Sequence, residues 1–145
     1  MNKKTSDIEV VLGIGCDRDT PMESIETVVF QALDEADLTI DHVRSLASID
    51  KKSDEVGLLK FAQQYHWEIK FYSAEELSKI PVPNPSEVVR KYVGTPTVAE
   101  AAALISANTQ MQDLIIEKHK YRGVDNRNAT VSIAHYRPYV LRKNK

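Results

Sequence analysis

Two glycines and an arginine lie in a short loop with the composition of an anion-binding turn. Gly13 and Gly15 alternate with apolar residues, and Arg18 follows three residues later. Glycines let a ligand approach the backbone, a following helix N-terminus offers free N–H groups, and a guanidinium forks onto a carboxylate or phosphate. The third glycine of a dinucleotide fingerprint is missing, and the sequence has no Gly-Lys-Thr/Ser phosphate loop. The alternatives are therefore an anion site or a tight turn that only connects a strand to a helix.

Cys16 and Thr20 lie in the same loop. A helix N-terminus and Arg18 would both lower the pKa of the Cys16 thiol and make it a nucleophile. The alternative is a small buried hydrophobic residue, and no histidine is obviously paired with it. Thr20, followed by proline and by Glu23, predicts an N-cap and capping box at the start of the next helix.

A second group of charges follows the second predicted strand. Asp50 and Lys52 predict an acid–ammonium pair at the mouth of a pocket, and the alternative is a solvated turn. A third group is Lys118 and Lys120, on either side of His119, inside a predicted strand.

The remaining histidines and the cysteine count argue against a metal site. The histidines (His42, His66, His119 and His135) lack metal-ligand spacing, and one cysteine cannot build a disulfide framework or a multi-cysteine zinc site. His66, at the end of a helix, is predicted to cap it. We therefore predict no metal and no cofactor.

Composition is that of a globular protein. The chain has 145 residues, of which 42% are hydrophobic and 28% charged. No apolar run approaches the roughly 18 residues of a membrane helix, and Met1 to Asp7 is polar, unlike a signal peptide. With a lone thiol, which suits a reducing compartment, these features predict a cytoplasmic protein that does not bind membranes.

The net charge of −2 hides an uneven distribution. Up to Glu117 there are 11 basic and 20 acidic residues, whereas from Lys118 to the end there are eight basic residues and one acid, Asp125. A basic end on an acidic body favours an anionic partner, either nucleic acid or a small polycarboxylate. The aromatic–basic alternation of Tyr136 to Tyr139 is too short to predict nucleic-acid binding. The last four residues are equally consistent with a solvated tail.

Periodicity and turn residues predict an alternating α/β chain. The predicted strands are Glu9–Ile14, Val43–Ile49, Trp67–Tyr72, Leu114–Tyr121 and Thr130–Tyr136, with a hairpin turn over Gly123–Asn128. The predicted helices begin at Thr20, Asp54, Ser73, Asn84 and Thr97, and end at about Ala36, Tyr65, Lys79, Tyr92 and Ala107. Leu58, Leu59 and Ala62 are predicted to face inward, and Glu87 and Glu100 to act as capping residues.

This order predicts a three-layer α/β/α sandwich with a mixed, mostly parallel five-stranded sheet that ends in a β-hairpin. We expect a single domain over residues 1–145 with an ordered core of about 8–137. Ligands of open α/β sheets bind beyond the carboxyl ends of the strands. The three charged groups are therefore expected to converge there, provided that the fourth strand lies beside the first.

Four co-linear motifs resemble one known family. They are Gly-Ile-Gly-Cys-x-Arg-x-Thr (Gly13–Thr20), Ser-Ile-Asp-x-Lys-x-Asp-Glu-x-Gly-Leu (Ser48–Leu58), Pro-Asn-Pro-Ser-Glu-Val-Val (Pro83–Val89) and Val-Gly-Thr-Pro-Thr-Val-Ala-Glu-Ala-Ala-Ala (Val93–Ala103). Together they resemble the CobE and CbiG C-terminal domain family of cobalamin biosynthesis, over about Val10 to Ala134.

The resemblance implies a precorrin-type tetrapyrrole as ligand and a place in porphyrin metabolism. Such a ligand carries many carboxylates around an apolar macrocycle, so its pocket needs several anion donors and a flat apolar floor. The CbiG family is described as a cobalt-precorrin-5A hydrolase, which opens a ring lactone; the stand-alone CobE form has no settled role. The family's matching positions are Gly13, Gly15, Arg18, Asp50, Lys52, Gly94, Thr95, Glu100 and Ala101.

Three functions remain open on the sequence. The first is a carrier that binds a precorrin without chemistry, with Cys16, Thr20, Lys118 and Lys120 added to the binding residues. The second is a lactone hydrolase or ring-contraction helper, in which Asp50 is the general base and Lys52 or Arg18 stabilises the oxyanion. The third is an interaction module that docks to a pathway methyltransferase.

Overall fold

The computed structural model describes residues 8–83 and 96–137. Within these ranges the strands are β1 (Val10–Cys16), β2 (Val43–Ile49), β3 (Ile69–Tyr72), β4 (Leu114–Arg122) and β5 (Asn128–His135). The helices are α1 (Met22–Glu35), α2 (Val56–Gln64), α3 (Ala74–Ser78) and α4 (Pro96–Ala107). Short 3-10 turns occupy Ile40–His42, Asp50–Lys52 and Met111–Asp113.

The strands form one sheet in the order β3-β2-β1-β5-β4. β1 pairs in parallel with β2, and β2 with β3, whereas β5 is antiparallel to both β1 and β4. Four strands thus point in one direction, and we call the edge at which they end the carboxyl edge. The predicted mixed, mostly parallel sheet is confirmed. β1 lies at its centre and is buried along its whole length, as expected for an apolar run covered on both faces.

Helices cover both faces, which confirms the three-layer sandwich. α1 and α2 pack on one face, against a core that includes Leu12, Ile14 and Ile133. α3 and α4 pack on the other face, against a second core that includes Val11 and Ile49. Alternation along β1 sends successive side chains to opposite faces, so Val11, Gly13 and Gly15 belong to the α4 face.

The predicted hairpin between β4 and β5 is confirmed. The Gly123 amide donates to the Arg127 carbonyl at 2.9 Å, and Asn126 adopts the left-handed region with a φ of 71°. Asparagine tolerates that conformation, which is why the Gly/Asp/Asn-rich segment turns here.

The start of α1 differs from the prediction. Pro21, not Thr20, occupies the N-cap position, and no side chain caps the helix. The Thr20 hydroxyl instead donates to the Asp17 carbonyl at 2.7 Å, because the tight turn after β1 places that carbonyl within its reach. The predicted Thr20–Glu23 capping box is therefore wrong.

Helix α2 is shorter than predicted, and the face that it buries differs slightly from the predicted one. It begins at Val56 rather than Asp54, because residues 50–52 form a 3-10 turn first. Leu58 and Ala62 are buried as predicted, but Leu59 is 38% exposed and Phe61 is fully buried in its place. His66 follows the end of α2 with a φ of 60°, in the left-handed position that commonly ends helices.

The short helix α3 has the capping box that the sequence predicts. The Ser73 hydroxyl accepts from the Glu76 amide at 3.0 Å, and the Glu76 carboxylate accepts from the Ser73 amide at 2.8 Å. α4 begins at Pro96, one residue before the predicted cap Thr97. The predicted helix from Asn84 to Tyr92, with Glu87, lies outside the described residues.

Candidate functional site

The loops that follow β1 and β2 meet at the carboxyl edge. The Arg18 guanidinium, which is half exposed, donates to one Asp54 carboxylate oxygen at 2.9 and 3.0 Å and to the Lys51 carbonyl at 3.4 Å. Its Nη1 atom also lies 2.8 Å from Oε2 of Glu55. The hydrogen bond from Arg18 lowers the pKa of Asp54, and the same contact raises the pKa of Arg18. Arg18 is therefore a donor already held by two carboxylates.

Glu55 is the buried centre of this cluster, and sequence reasoning assigned it no role. It is 2% exposed, its Oε1 accepts the Asp19 amide at 3.0 Å, and Arg18 and Lys52 both face its Oε2. Glu55 directly precedes α2. The sequence signal that could have identified it is an acidic residue at the start of a helix, followed by Val-Gly-Leu-Leu. Its position ties the β1 loop to the start of α2.

The Asp50–Lys52 pair that the sequence predicts is absent from the described residues. Lys52 Nζ lies 3.8 Å from Oε2 of Glu55 instead. Asp50 begins the 3-10 turn with an exposed carboxylate that makes no ion pair there. The turn directs the lysine inward and the aspartate outward, so the ammonium pairs with the buried acid.

The β5 hairpin fixes the remainder of the β1 loop. Asp17 accepts both the backbone amide of Asn128, at 2.7 Å, and its side-chain amide, at 3.1 Å. The Arg127 side chain donates to the Arg18 carbonyl at 2.9 Å. These bonds hold the loop between Cys16 and Thr20 in one conformation.

Cys16 is a core residue. Its side chain lies in the core under α1 and α2, and it is 5% exposed. Burial raises the pKa of the thiol to about 11, and the lowering effect of nearby Lys52 does not offset it. The structure therefore favours the small buried hydrophobic residue over the nucleophile, because Cys16 lies in the core on the α1 and α2 side of β1.

Gly13 serves helix packing rather than ligand approach. A Cβ atom at this position would lie 2.0 Å from the Ala99 carbonyl oxygen and 2.8 Å from the Ala103 amide. Helix α4 therefore crosses β1 in direct backbone contact, which its small alanine side chains permit. Gly15 is buried two residues further along the same face, towards the carboxyl edge. Ala101 is buried in the α4 core, and Gly94 and Thr95 lie outside the described residues.

Glu100 is wholly buried on α4 and is not a capping residue. Its Oε2 lies 3.6 Å from Nζ of Lys118, which comes from β4. Among the described residues no hydrogen-bond partner reaches either carboxylate oxygen. Burial raises the pKa of Glu100 to about 7, with Lys118 lowering it and Glu117 raising it. The environment of Glu100 is therefore set by the face of α4 that packs on the sheet and not by the end of the helix.

The condition that β4 lies beside β1 is not met, because β5 lies between them. Lys120 pairs with Thr130, and Thr130 pairs with Gly15, so all three lie on one line across the sheet. Lys120 is exposed on edge strand β4. Lys118 lies two residues earlier, towards Glu100.

His119 points to the opposite face. Its Nδ1 lies 3.0 Å from a Glu35 carboxylate oxygen and its Nε2 lies 2.8 Å from the Gln31 side-chain oxygen, both on α1. His42 accepts the Thr39 amide at 3.0 Å. Within residues 8–83 and 96–137 no group of three or more His, Cys, Asp or Glu side chains is placed to hold a metal ion.

An open cleft of about 370 Å³ lies between the starts of α1 and α2, and the predicted binding residue Thr20 is part of its lining. Its lining is mixed in charge and polarity and consists of Asp19, Thr20, Pro21, Met22, Glu23, Glu55, Val56, Gly57 and Lys60. Glu55 is common to this cleft and to the ionic cluster. No helix in the described ranges is long and apolar enough to cross a membrane.

The fold and this edge define a three-layer α/β domain whose charged groups gather at the carboxyl ends of its strands. The chain belongs to the family described as cobalamin synthesis G C-terminus, whose model matches residues 10–134. The resemblance of the four sequence motifs is thereby confirmed.

Two curated relatives and one solved structure support this assignment. The chain is 36% identical over 125 residues to a cobalt-precorrin-5A hydrolase of Priestia megaterium, covering 86% of this chain and 32% of that protein. It is 37% identical over 111 residues to protein CobE of a Sinorhizobium species, covering 75% of this chain and 71% of that protein. The crystal structure of CobE, a protein from the cobalamin biosynthetic pathway, superimposes with a TM-score of 0.69 at 27% identity, covering 89% and 91% of the two chains. The chain thus spans about a third of the hydrolase.

Proposed function

We propose that this chain binds a precorrin-type tetrapyrrole intermediate of cobalamin biosynthesis at the carboxyl edge, on the α4 face of the sheet. Family membership supports the pathway, and the name of the Priestia megaterium relative supports a precorrin as the ligand class. The observation that carries the proposal is the line of Lys120, Thr130 and Gly15 across the sheet.

That line offers the chemistry which a polycarboxylate macrocycle requires. Lys120 lies two strands from Gly15, which is about 10 Å at the usual spacing of strands. On the other side of Gly15 the same face carries Ile49 and the half-buried Tyr72, both in the α4 core. Ile49 is buried, so the accessible apolar surface on this side is Tyr72, and a ring with carboxylates at its rim would contact Tyr72 and the Lys120 ammonium from opposite sides.

Lys118 and Lys120 supply anion donors that Arg18 does not. Arg18 is engaged by Asp54 and Glu55, so a ligand carboxylate would have to compete with two acids. Lys120 is exposed, and Lys118 has a single described carboxylate, Glu100, within 4 Å. We therefore assign ligand carboxylates to β4 first. The proposal places the chain in the cytoplasm, which suits its one unpaired cysteine.

Lactone hydrolysis is the second candidate, and the exposed Asp50 carboxylate favours it. Asp50 follows β2 at the carboxyl edge and is free of ion pairs within the described residues. A carboxylate in this position would accept a proton from water as it attacks a lactone carbonyl. The hydrolase relative is about three times longer than the matched region, so we propose binding as the primary role.

A visible-absorbance titration tests both candidates. Hydrogenobyrinic acid and a panel of precorrins are added to the purified chain, and the spectra are followed over time. A spectral shift that then stays constant is expected for a carrier, whereas conversion to a new species would indicate catalysis.

Variants locate the site. Lys120→Ala is expected to weaken binding about tenfold, the equivalent of about 1.4 kcal/mol. Lys70→Ala, an exposed lysine of the opposite edge strand, is the matched control and should bind as the wild type does. An equal loss of affinity in both variants would refute the assigned edge. The absence of any spectral shift in the wild type would refute ligand binding and leave the hypothesis of a module that docks to a pathway methyltransferase. For hydrolysis, Asp50→Asn should abolish conversion and preserve the initial shift.

A further inference from the structure

Glu100 and Lys118 form a half-accessible ion pair on the α4 face. Glu100 has 0% of its side chain exposed, whereas Lys118 has 22% exposed. The separation of 3.6 Å between Lys118 Nζ and Oε2 of Glu100 is an ion pair without a close hydrogen bond. Lys118 therefore links the buried carboxylate of Glu100 to the surface on which we place the ligand.

Lys118 is the cation that favours the ionised form of Glu100. Among the described residues, the charged groups that act on Glu100 are Lys118, which lowers its pKa, and Glu117, which raises it, both on β4. On this face β1 presents Val11 and Gly13, β2 presents Ala47 and Ile49, and β5 presents Ser132, none of which titrates. β3 presents the exposed Lys70 and the half-buried Tyr72, and neither is among the groups that shift the pKa of Glu100. Burial has already raised the pKa to about 7, so a small loss of attraction to Lys118 is enough to change its protonation.

We propose that Lys118 is a subsite for one carboxylate of the ligand, and that its occupation transfers one proton from solution to Glu100. This inference rests on the proposed function and deepens it. The ligand carboxylate stays ionised and pairs with the Lys118 ammonium, while the Glu100 carboxylate takes up a proton and becomes neutral. No bond of the ligand breaks, and charge is conserved by the proton taken from the buffer.

The reason is competition for one ammonium group. A carboxylate at the exposed side of Lys118 replaces Glu100 as its counterion, and a buried acid that loses its cation is neutralised rather than left charged. The linkage has a definite sign. Below about pH 7 Glu100 is mostly protonated and the ligand meets a free Lys118. Above that pH each unit is expected to weaken binding at this subsite up to about tenfold, because a proton must be drawn from solution.

Isothermal titration of the full chain with hydrogenobyrinic acid tests the inference. Titrations at each pH in two amine or zwitterionic buffers that buffer at that pH and differ in ionisation enthalpy give the number of protons taken up per ligand. We expect uptake approaching one proton at about pH 8 and close to zero at about pH 6.

Two substitutions separate Glu100 from other titrating groups. Glu100→Gln should bind the ligand with no proton uptake at about pH 8 and with affinity that no longer falls above pH 7. Glu75→Gln, at an exposed position on α3, is the matched control and should retain the uptake. If Glu100→Gln fails to fold, the pH dependence of uptake by the wild-type chain still decides the matter.

The outcomes are distinct from those of the proposed function. Binding without proton uptake at about pH 8 would refute this inference and leave the proposed function standing. Uptake that persists unchanged in folded Glu100→Gln would also refute it. An absence of binding would remove the proposed function and this subsite with it.

Discussion

The Cα of Gly13 faces the Ala99 carbonyl so closely that a Cβ atom would lie 2.0 Å from that oxygen. The neighbouring obstacle is also backbone, since the Ala103 amide would be 2.8 Å away. Backbone cannot rotate aside as a side chain can, so helix α4 depends on a hydrogen atom at this position. Gly13→Ala should therefore lower the free energy of unfolding by about 3 kcal/mol, at the upper end of typical overpacking costs.

Urea denaturation of Gly13→Ala against Gly123→Ala measures this effect. At Gly123 the nearest atom to a new Cβ is the Ser24 hydroxyl oxygen, at 2.8 Å, and that side chain can turn away. The control should thus lose no more than about 1 kcal/mol. Equal losses of unfolding free energy in the two variants would show that α4 can shift away from β1 at no extra cost in free energy.

Phe61 and Leu59 test which face of α2 is buried. Phe61 is fully buried and contacts the rings of Tyr65 and Trp67, with centroids 5.1 and 5.7 Å away. Phe61→Ala should cost about 3–5 kcal/mol of unfolding free energy, whereas Leu59→Ala should cost less than about 1 kcal/mol. Thermal or urea unfolding of both variants measures the difference, and a reversed order would restore the face that the sequence predicted.

Glu55 and Asp54 both contact Arg18, but only Glu55 is buried. Asp54 has 74% of its side chain exposed, so Asp54→Asn should leave the unfolding free energy nearly unchanged. Glu55→Gln removes the buried charge that faces Arg18 and Lys52, and it should cost about 2 kcal/mol. Chemical denaturation at neutral pH compares the two isosteric changes. Equal effects would mean that the cluster is a surface network.

Cys16 should be inert in the folded protein. With a pKa of about 11, about 0.1% of the thiol is ionised at pH 8, and the side chain is also shielded. We expect alkylation by iodoacetamide to be at least about 100-fold slower in the native chain than in denaturant. Rapid native labelling at this single cysteine would contradict its placement in the core.

Glu100 should make stability fall as the pH rises. Its pKa is about 7 in the fold against 4.5 in a model peptide, so the folded state binds more protons between those values. Stability therefore decreases from about pH 4.5 to 7 and then levels off, by about 3 kcal/mol for this group alone. Glu100→Gln should lose this slope.

The measurement is the urea midpoint of wild type and Glu100→Gln at several pH values between about 5 and 8. Taking the difference between the two proteins removes the contribution of other groups, such as His135, whose pKa burial lowers. Parallel curves would show that Glu100 titrates normally in the fold.

The sheet and its flanking helices could be predicted from local patterns. Val43–Ile49 and the Ser73–Glu76 capping box depend on residues next to one another in the chain, and both are confirmed. The candidate site was harder to predict, because most of its side-chain contacts join residues far apart in the chain, from 18 positions for Glu100 and Lys118 to 111 for Asp17 and Asn128. Even a local pair was missed: Lys52 was paired with Asp50, two residues before it, whereas the 3-10 turn directs it to Glu55, three residues after it.

By itself the sequence determined the fold class, the turn residues and the family. Hydrophobic periodicity, capping residues and co-linear motifs can all be identified from the order of residues in the chain. Tertiary structure decided which face each charge occupies. It buried Cys16 and Glu100 and placed β5 between β1 and β4. It also placed His119 and Lys118, which are adjacent in the chain, on opposite faces of the sheet. The physical reason is that desolvation and ion pairing depend on what packs against a group, and strand order and helix crossing set that packing.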